Sequence, residues 1–259
     1  MASTIPCLVA YVQENQPEGV PPLSLTGERT LPDVPEENYW YRRHLAVYEW
    51  IAAETRGLRV ADLACGEGYG SATLARSAAE VVGVDANPEA FEHARLRYEA
   101  PNLLFERGLV EQYSQPCDAI VFLQTIEHIH DPGALLAQIA KAAPLAYVST
   151  PNRLTLAPEG AEKSENPWHL REYTAAEYRE LMTPHFSEVR LFGVFHARKL
   201  RVHEIALSAG WDRAHKSLGF TKPFYDRFTP AIAASDFALR DETDCDLDKA
   251  LDFVAVLRA

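Results

Sequence analysis

The chain is short of the residues that make cross-links and membrane spans. Its four cysteines, Cys7, Cys65, Cys117 and Cys245, are scattered through 259 residues without a CxxC pair or a zinc-like spacing. Neither a disulfide framework nor a zinc ribbon is expected, and a reduced compartment suits them. No apolar run approaches the ~18 residues that a bilayer crossing needs. The early stretch IPCLVAYV lacks a basic flank and runs into QENQPEG, which makes a poor signal peptide, so a cytoplasmic protein without membrane insertion is expected. Cations are scarce as well. With 25 Lys and Arg against 37 Asp and Glu, the formal charge is −12, which argues against long nucleic acid as a partner. Internal repeats and low-complexity tracts are missing too.

What is present suits a folded chain, since 47% hydrophobic content can bury the core of one large domain or two small ones. Residues 13–37, rich in Pro, Glu and Gly, read as an extended arm. NYWYRRHLAVYEWIAAE then places Trp40, Leu45, Tyr48 and Ile51 near helical spacing and predicts a helix over 38–54. Beyond it, strand-like runs alternate with helical ones: LRVADLA, EVVGVDA, NLLFERG, DAIVFLQ and LAYVST against YGSATLARSAA, NPEAFEHARLRY, DPGALLAQIAKAA and TAAEYRELM. Asn87 and Asp131 stand as N-caps, Pro88 at a first helical position, and Thr174 with Glu177 forms a capping box. Such alternation predicts an α/β fold with a mostly parallel, doubly wound sheet. EVRLFGVF and LDFVAVLRA add late strands. Between them, 196–248 mixes helical pieces with an acidic run, DETDCDLD, expected to be a solvated loop.

The stretch ADLACGEGYGSATLA carries Gly66, Gly68 and Gly70, bare backbone that a ligand can approach closely. A dinucleotide fingerprint would need GxGxxG, and Ser71 stands where its third glycine belongs. With Asp62 the pattern becomes DxxxGxGxG, which resembles motif I of class I S-adenosylmethionine (SAM) methyltransferases. The resemblance implies a Rossmann-like, doubly wound sheet of seven strands and SAM as cofactor, with Asp62 near its ammonium group and Asp85, closing VVGVD, on the ribose hydroxyls. Leu109 stands where the family often has an aspartate for the adenine, so main chain at Gly108 and Leu109, with Glu111 nearby, is expected to hold that ring. Ala64, Gly66, Gly68, Gly70, Ala86 and Gln124 complete this set in the core.

The stretches LTGERTLPDVPEENYWYRRHLAVYEWI, FLQTIEHIHDP, VSTPNRLTLAP and NPWHLREYT further resemble actinobacterial sugar O-methyltransferases of the methylglucose lipopolysaccharide or methylmannose polysaccharide type. That likeness runs from about residue 25 to the C-terminus. It implies methyl transfer to a hydroxyl of a saccharide or glycolipid precursor. Residues 1–54 would form an N-terminal arm and lid helix and 55–259 the methyltransferase domain, with 196–248 as an acceptor-side helical insertion before the last strand. The GER element and the lid helix would close over the cofactor, with Tyr39, Arg43 and His44 beside it and Arg42 as a further candidate for its carboxylate.

A hydroxyl is a weak nucleophile, so the site must align it with the methyl group and take its proton. QTIEHIHD leaves the fourth strand at the edge where ligands of such sheets bind. One mechanism makes His128 the general base, oriented by Glu127, with His169 nearby; imidazole titrates near neutrality. In the other, Glu127, His128 and His169 hold Mg2+ or another divalent cation, with Gln124 as a fourth contact. This arrangement looks like that of small-RNA 2′-O-methyltransferases and certain quinone O-methyltransferases, and HLREYT fits their H-x-x-E-aromatic-T string. Gln124 replaces a first glutamate of those families, which favours the metal-free base. Alternative acceptors are a quinone, a phenol or an RNA end, and a non-catalytic SAM-binding module is a further alternative. His130 suits an exposed loop, while His196, Asn152 and the aromatics Trp168, Trp211, Phe220, Phe224 and Tyr225 are candidate acceptor contacts or plain packing.

Overall fold

The computed structural model describes residues 13, 16–25, 29–158 and 160–259. The stretch IPCLVAYV with Cys7, and the Gly27 and Glu28 of GER, lie outside the described residues. The strands are β1 (Arg59–Leu63), β2 (Glu80–Asp85), β3 (Leu103–Arg107), β4 (Ala119–Leu123), β5 (Leu145–Pro151), β6 (Glu188–His196), β7 (Phe237–Asp241) and β8 (Asp252–Arg258). The helices are α1 (Asn38–Glu54), α2 (Tyr69–Leu74), α3 (Pro88–Arg97), α4 (Pro132–Ala142), α5 (Arg153–Leu156), α6 (Ala175–Met182), α7 (Arg198–Ser208), α8 (Trp211–Ser217) and α9 (Thr221–Phe228).

Local chemistry explains the boundaries. Asn87 accepts from the Glu89 and Ala90 amides, Asp131 from the Ala134 amide, and Thr174 forms its capping box with Glu177, so each satisfies helix-end donors that would otherwise be orphaned. β4 is a continuous apolar run because it lies mid-sheet with both faces covered. The sheet order is β3-β2-β1-β4-β5-β8-β6-β7, with β1 to β5 parallel and β8 antiparallel to both β5 and β6. An apolar layer packs on each face: one includes Phe122, Tyr178 and Phe253, the other Ile51, Leu74 and Val254.

The sheet has eight strands rather than the expected seven. The added strand, β7, pairs antiparallel with β6 inside the segment expected to be helical and looped. Phe237 buries against α1 while Arg240 stays exposed, an alternation short enough to be masked in the sequence by the acidic run beside it. Asp241, at the head of that run, pairs with Arg190 and accepts from Thr243, which charges this outer edge and discourages edge-to-edge pairing.

Winding reverses between β1 and β4, which are neighbours, and this opens a crevice at the carboxyl ends of the parallel strands. The loops after β1, β2, β4 and β5 gather there. The described part of the arm crosses the same edge, packing Leu23, Leu31 and Val34 into a small cluster of its own.

Candidate active site

Two strand ends carry unusual backbone. Ala64 after β1 and Gln124 after β4 have φ of 56° and 51°, the left-handed region that costs non-glycine residues energy, and both line the crevice. Gly66, at φ 56°, lines it as well and donates its amide to Asp85 at 2.8 Å. The other Asp85 oxygen accepts from the Asn87 amide at 2.9 Å. Two backbone donors therefore hold this carboxylate at the mouth of β2, and the remaining lone pairs can take hydroxyl donors.

The crevice encloses a cavity of about 650 Å3, in the range of small-molecule sites. Ala64, Gly66, Asp85, Ala86, Gln124, His44, Glu127, His128 and His169 all face it. Asp62, Gly68, Gly70, Gly108, Leu109, Tyr39 and Arg43 stand outside its lining. Gly68 backs onto Ala94, Tyr98 and Phe105, and a side chain at Gly70 would collide with the buried Tyr48 ring, so close helix packing accounts for both glycines. Leu109 is about half exposed.

The α1 residues diverge because neighbours on a helix point in different directions. Arg43 is buried in an ion pair with Asp252 and donates to the Leu251 carbonyl. Tyr39 donates to or accepts from His196 Nε2 at 2.8 Å, beneath Phe237. His44 does reach the cavity, where its Nδ1 lies 2.9 Å from the Thr30 hydroxyl of the arm. Burial pushes its pKa down to about 4, so at neutral pH it meets the cavity uncharged. Arg42 donates to Asn38 and stacks on Tyr41.

Asp62 sits fully buried behind the loop, accepting from Tyr48 and Ser71 at 3.2 and 2.6 Å. Burial, only partly offset by these bonds, raises its pKa to about 7. A carboxyl with a raised native pKa binds its proton more tightly when folded, so stability falls between the ordinary 3.8 and about 7 and stays lower above. The Asp62→Asn variant is expected to melt higher than the parent at pH 8, by roughly 2–4 °C for each kcal/mol of penalty removed. Near pH 4 the two should converge. Calorimetry at both pH values checks this, and a pH-independent difference would contradict it.

At the end of β4, a turn at Ile126–His128 projects the titratable cluster. One ligand atom each of Glu127, His128 and His169 lies within 4.8 Å of the others. His128 Nδ1 donates to the Trp168 carbonyl at 2.8 Å, which places the ring's lone pair on Nε2. His169 Nδ1 contacts the Glu172 carboxylate at 2.6 Å, and its Nε2 faces the Asn166 amide at 3.0 Å. Burial works against the Glu172 charge, yet hydrogen bonds from Ser164 and His169 prevail and hold its pKa below the usual range. Glu127 accepts from the Thr150 hydroxyl, and burial raises its pKa to about 8.

Three contributors escaped the sequence reading. Glu67 is buried beside the glycine loop and accepts from Tyr98, His93 and Arg97. Glu172 orients His169, and the H-x-x-E string already pointed to it. Asp252, a charge inside a strand-like run, was the visible anomaly of LDFVAVLRA. Elsewhere, Asn152 is a fold residue whose amide donates to the Leu247, Asp248 and Ala250 carbonyls. Trp211, Phe220 and Phe224 pack among themselves with His215. Trp168, Tyr225, His196 and His130 lie outside the cavity lining.

The family model "Methyltransferase domain" matches residues 39–205. A Mycolicibacterium smegmatis protein named "Probable S-adenosylmethionine-dependent methyltransferase" is 34% identical over 245 residues, covering 90% of this chain and 94% of that one. The chain belongs to the SAM-dependent methyltransferases. It is an enzyme that uses SAM. A shorter match, 34% identical over 119 residues, is to the ubiquinone biosynthesis O-methyltransferase of Xylella fastidiosa, covering 41% of this chain and 48% of that one. In three dimensions the chain resembles a SAM-dependent methyltransferase of Thermotoga maritima, with a TM-score of 0.57 and 16% identity over 87% of this chain and 95% of the other. That likeness supports the Rossmann-like α/β fold.

Proposed function

We propose that this methyltransferase transfers the methyl group to a hydroxyl of a saccharide or glycolipid precursor. The observation that carries this reading is a single cavity lined by Gly66 and Asp85, from the ends of β1 and β2, together with the Glu127, His128 and His169 cluster. SAM would lie along Ala64, Gly66, Asp85 and Ala86, and it supplies a methyl group already activated on sulfur. Thr125, Ser164 and Asn166 also line the cavity and offer hydroxyl and amide partners to a polyhydroxylated acceptor.

His128 Nε2 is the atom that takes the hydroxyl proton, with the ring held by the Trp168 carbonyl, while the Glu127 carboxyl is bonded by Thr150. Glu127, protonated at neutral pH, presents an O–H as well as a carbonyl to the acceptor oxygen. Glu172 positions His169, and the arm at Arg29 and Thr30 limits water entry.

The donor set also fits a divalent cation, because both imidazoles are oriented through Nδ1 by an oxygen acceptor and a carboxylate stands beside them. A bound cation would lower the pKa of the acceptor hydroxyl. Glu127 would then give up its proton to serve as a ligand. This second reading rests on the cluster's geometry alone, and Gln124, tied to Ser149, brings no negative charge to it.

The test is mass spectrometry of oligosaccharides, phenols and a short RNA incubated with SAM, with and without a chelator. A gain of one methyl mass on a saccharide, unaffected by chelation, is expected. Methylation confined to phenols or RNA overturns the acceptor, and loss of transfer on chelation selects the cation reading.

A further inference from the structure

The segment carrying α7 to α9 breaks the molecule's charge pattern. Residues 198–227 hold seven Lys or Arg against three Asp or Glu, a net of +4 within a chain of −12. Some of these cations are balanced locally, as in Arg201 with Glu204 and Lys216 with Asp212. Arg198, Arg213 and Arg227 are exposed and form no close ion pair among the described residues, although Arg213 adds to the field on Asp212. The same segment leaves Val202 and Ile205 of α7 and Leu218, just past α8, more than half exposed, at 67%, 55% and 70%. Arg198, Val202 and Ile205, at i, i+4 and i+7, share one face of α7.

This exposure is not a failure to form a core. Trp211, Phe220 and Phe224 pack on one another around the buried His215, and His203 packs on Phe224 and Phe228. The segment packs its half-buried rings on one another and leaves these aliphatics exposed. We propose that this face docks on the anionic headgroups of a lipid bilayer, with Val202 and Ile205 entering the interfacial zone and Arg198, Arg213 and Arg227 meeting phosphates.

Both halves of that chemistry are needed. A cationic helix face with exposed aliphatics suits the boundary between headgroups and acyl chains, where apolar burial and attraction to anionic lipid add. Single-stranded RNA would call for aromatic faces open to bases, and here the rings are engaged with one another. A second copy would bring two like-charged faces together, which opposes association. Placement fits as well: Asn38 donates to the Thr229 and Ile232 carbonyls, tying the end of the segment to the head of α1, whose Trp40 lines the cavity. Docking goes beyond the proposed acceptor and does not depend on it.

Co-sedimentation with phosphatidylcholine vesicles, with and without phosphatidylglycerol, tests the face without any acceptor. The pelleted fraction should rise about tenfold or more on the anionic vesicles and fall back in high salt. The double variant Val202→Glu, Ile205→Glu alters exposed positions only and should stay in the supernatant while binding SAM as the parent does. Equal pelleting on neutral vesicles, no pelleting on anionic ones, or a variant that pellets like the parent overturns the proposal. So does a dimer in analytical ultracentrifugation that the substitutions dissolve, or an RNA gel shift that they abolish. None of these results would touch the methyl-transfer reading, which is read from acceptor mass.

Discussion

The His128→Ala variant should lose about 10²- to 10⁴-fold in kcat, the usual worth of a positioned general base. Its affinity for SAM, measured by calorimetry, should stay within about twofold, because the ring belongs to the turn after β4 whereas Gly66 and Asp85 belong to the ends of β1 and β2. Nδ1 is committed to the Trp168 carbonyl, so Nε2 is the nitrogen with a lone pair, and the residue lines the cavity with a ligand atom within 4.8 Å of one on Glu127. Added imidazole should restore part of the lost rate if the ring moves a proton. If the ring serves a cation instead, imidazole restores little and added divalent metal shifts the residual activity. Unchanged turnover on every acceptor would remove His128 from the mechanism.

Arg43→Met should cost about 3–5 kcal/mol of stability, since it strands Asp252 as a lone buried charge. Adding Asp252→Asn to it should return a substantial part of that loss, because the uncompensated carboxylate is gone. Denaturant titration of the parent and both variants reads the effect directly. The result also separates two roles. A residue that grips the cofactor's carboxylate would, when removed, weaken SAM binding at nearly unchanged stability, and that outcome would displace the internal ion pair described here.

Much of the fold was legible because its signals are local. Caps at Asn87, Asp131 and Thr174 depend on residues two or three positions away, and a buried strand such as AIVFL announces itself by composition. β7 was not legible, since five residues beside an acidic run carry too little pattern, and only pairing with β6 makes them a strand. The site divides in the same way. QTIEHIHD and HLREYT are far apart in the chain but each is distinctive, and the structure brings Glu127, His128 and His169 together as that pattern suggested. The glycines were harder. Gly70 reads equally well as a ligand contact or as room for a side chain, and the Tyr48 ring that occupies the space comes from a different helix.

By itself, the sequence determined the succession of strands and helices, the bare loop at 66–70 with a carboxylate before and after it, and the titratable motif that follows β4. Only the tertiary structure decided which of those residues face the cavity and which hold the frame: Asp85 faces inward, Asp62 lies behind Ser71, His44 opens to the cavity and Arg43 closes on Asp252. The physical reason is one of range. Spacing along the chain sets local conformation, whereas a side chain's partner depends on packing between segments up to 209 residues apart, as between Arg43 and Asp252.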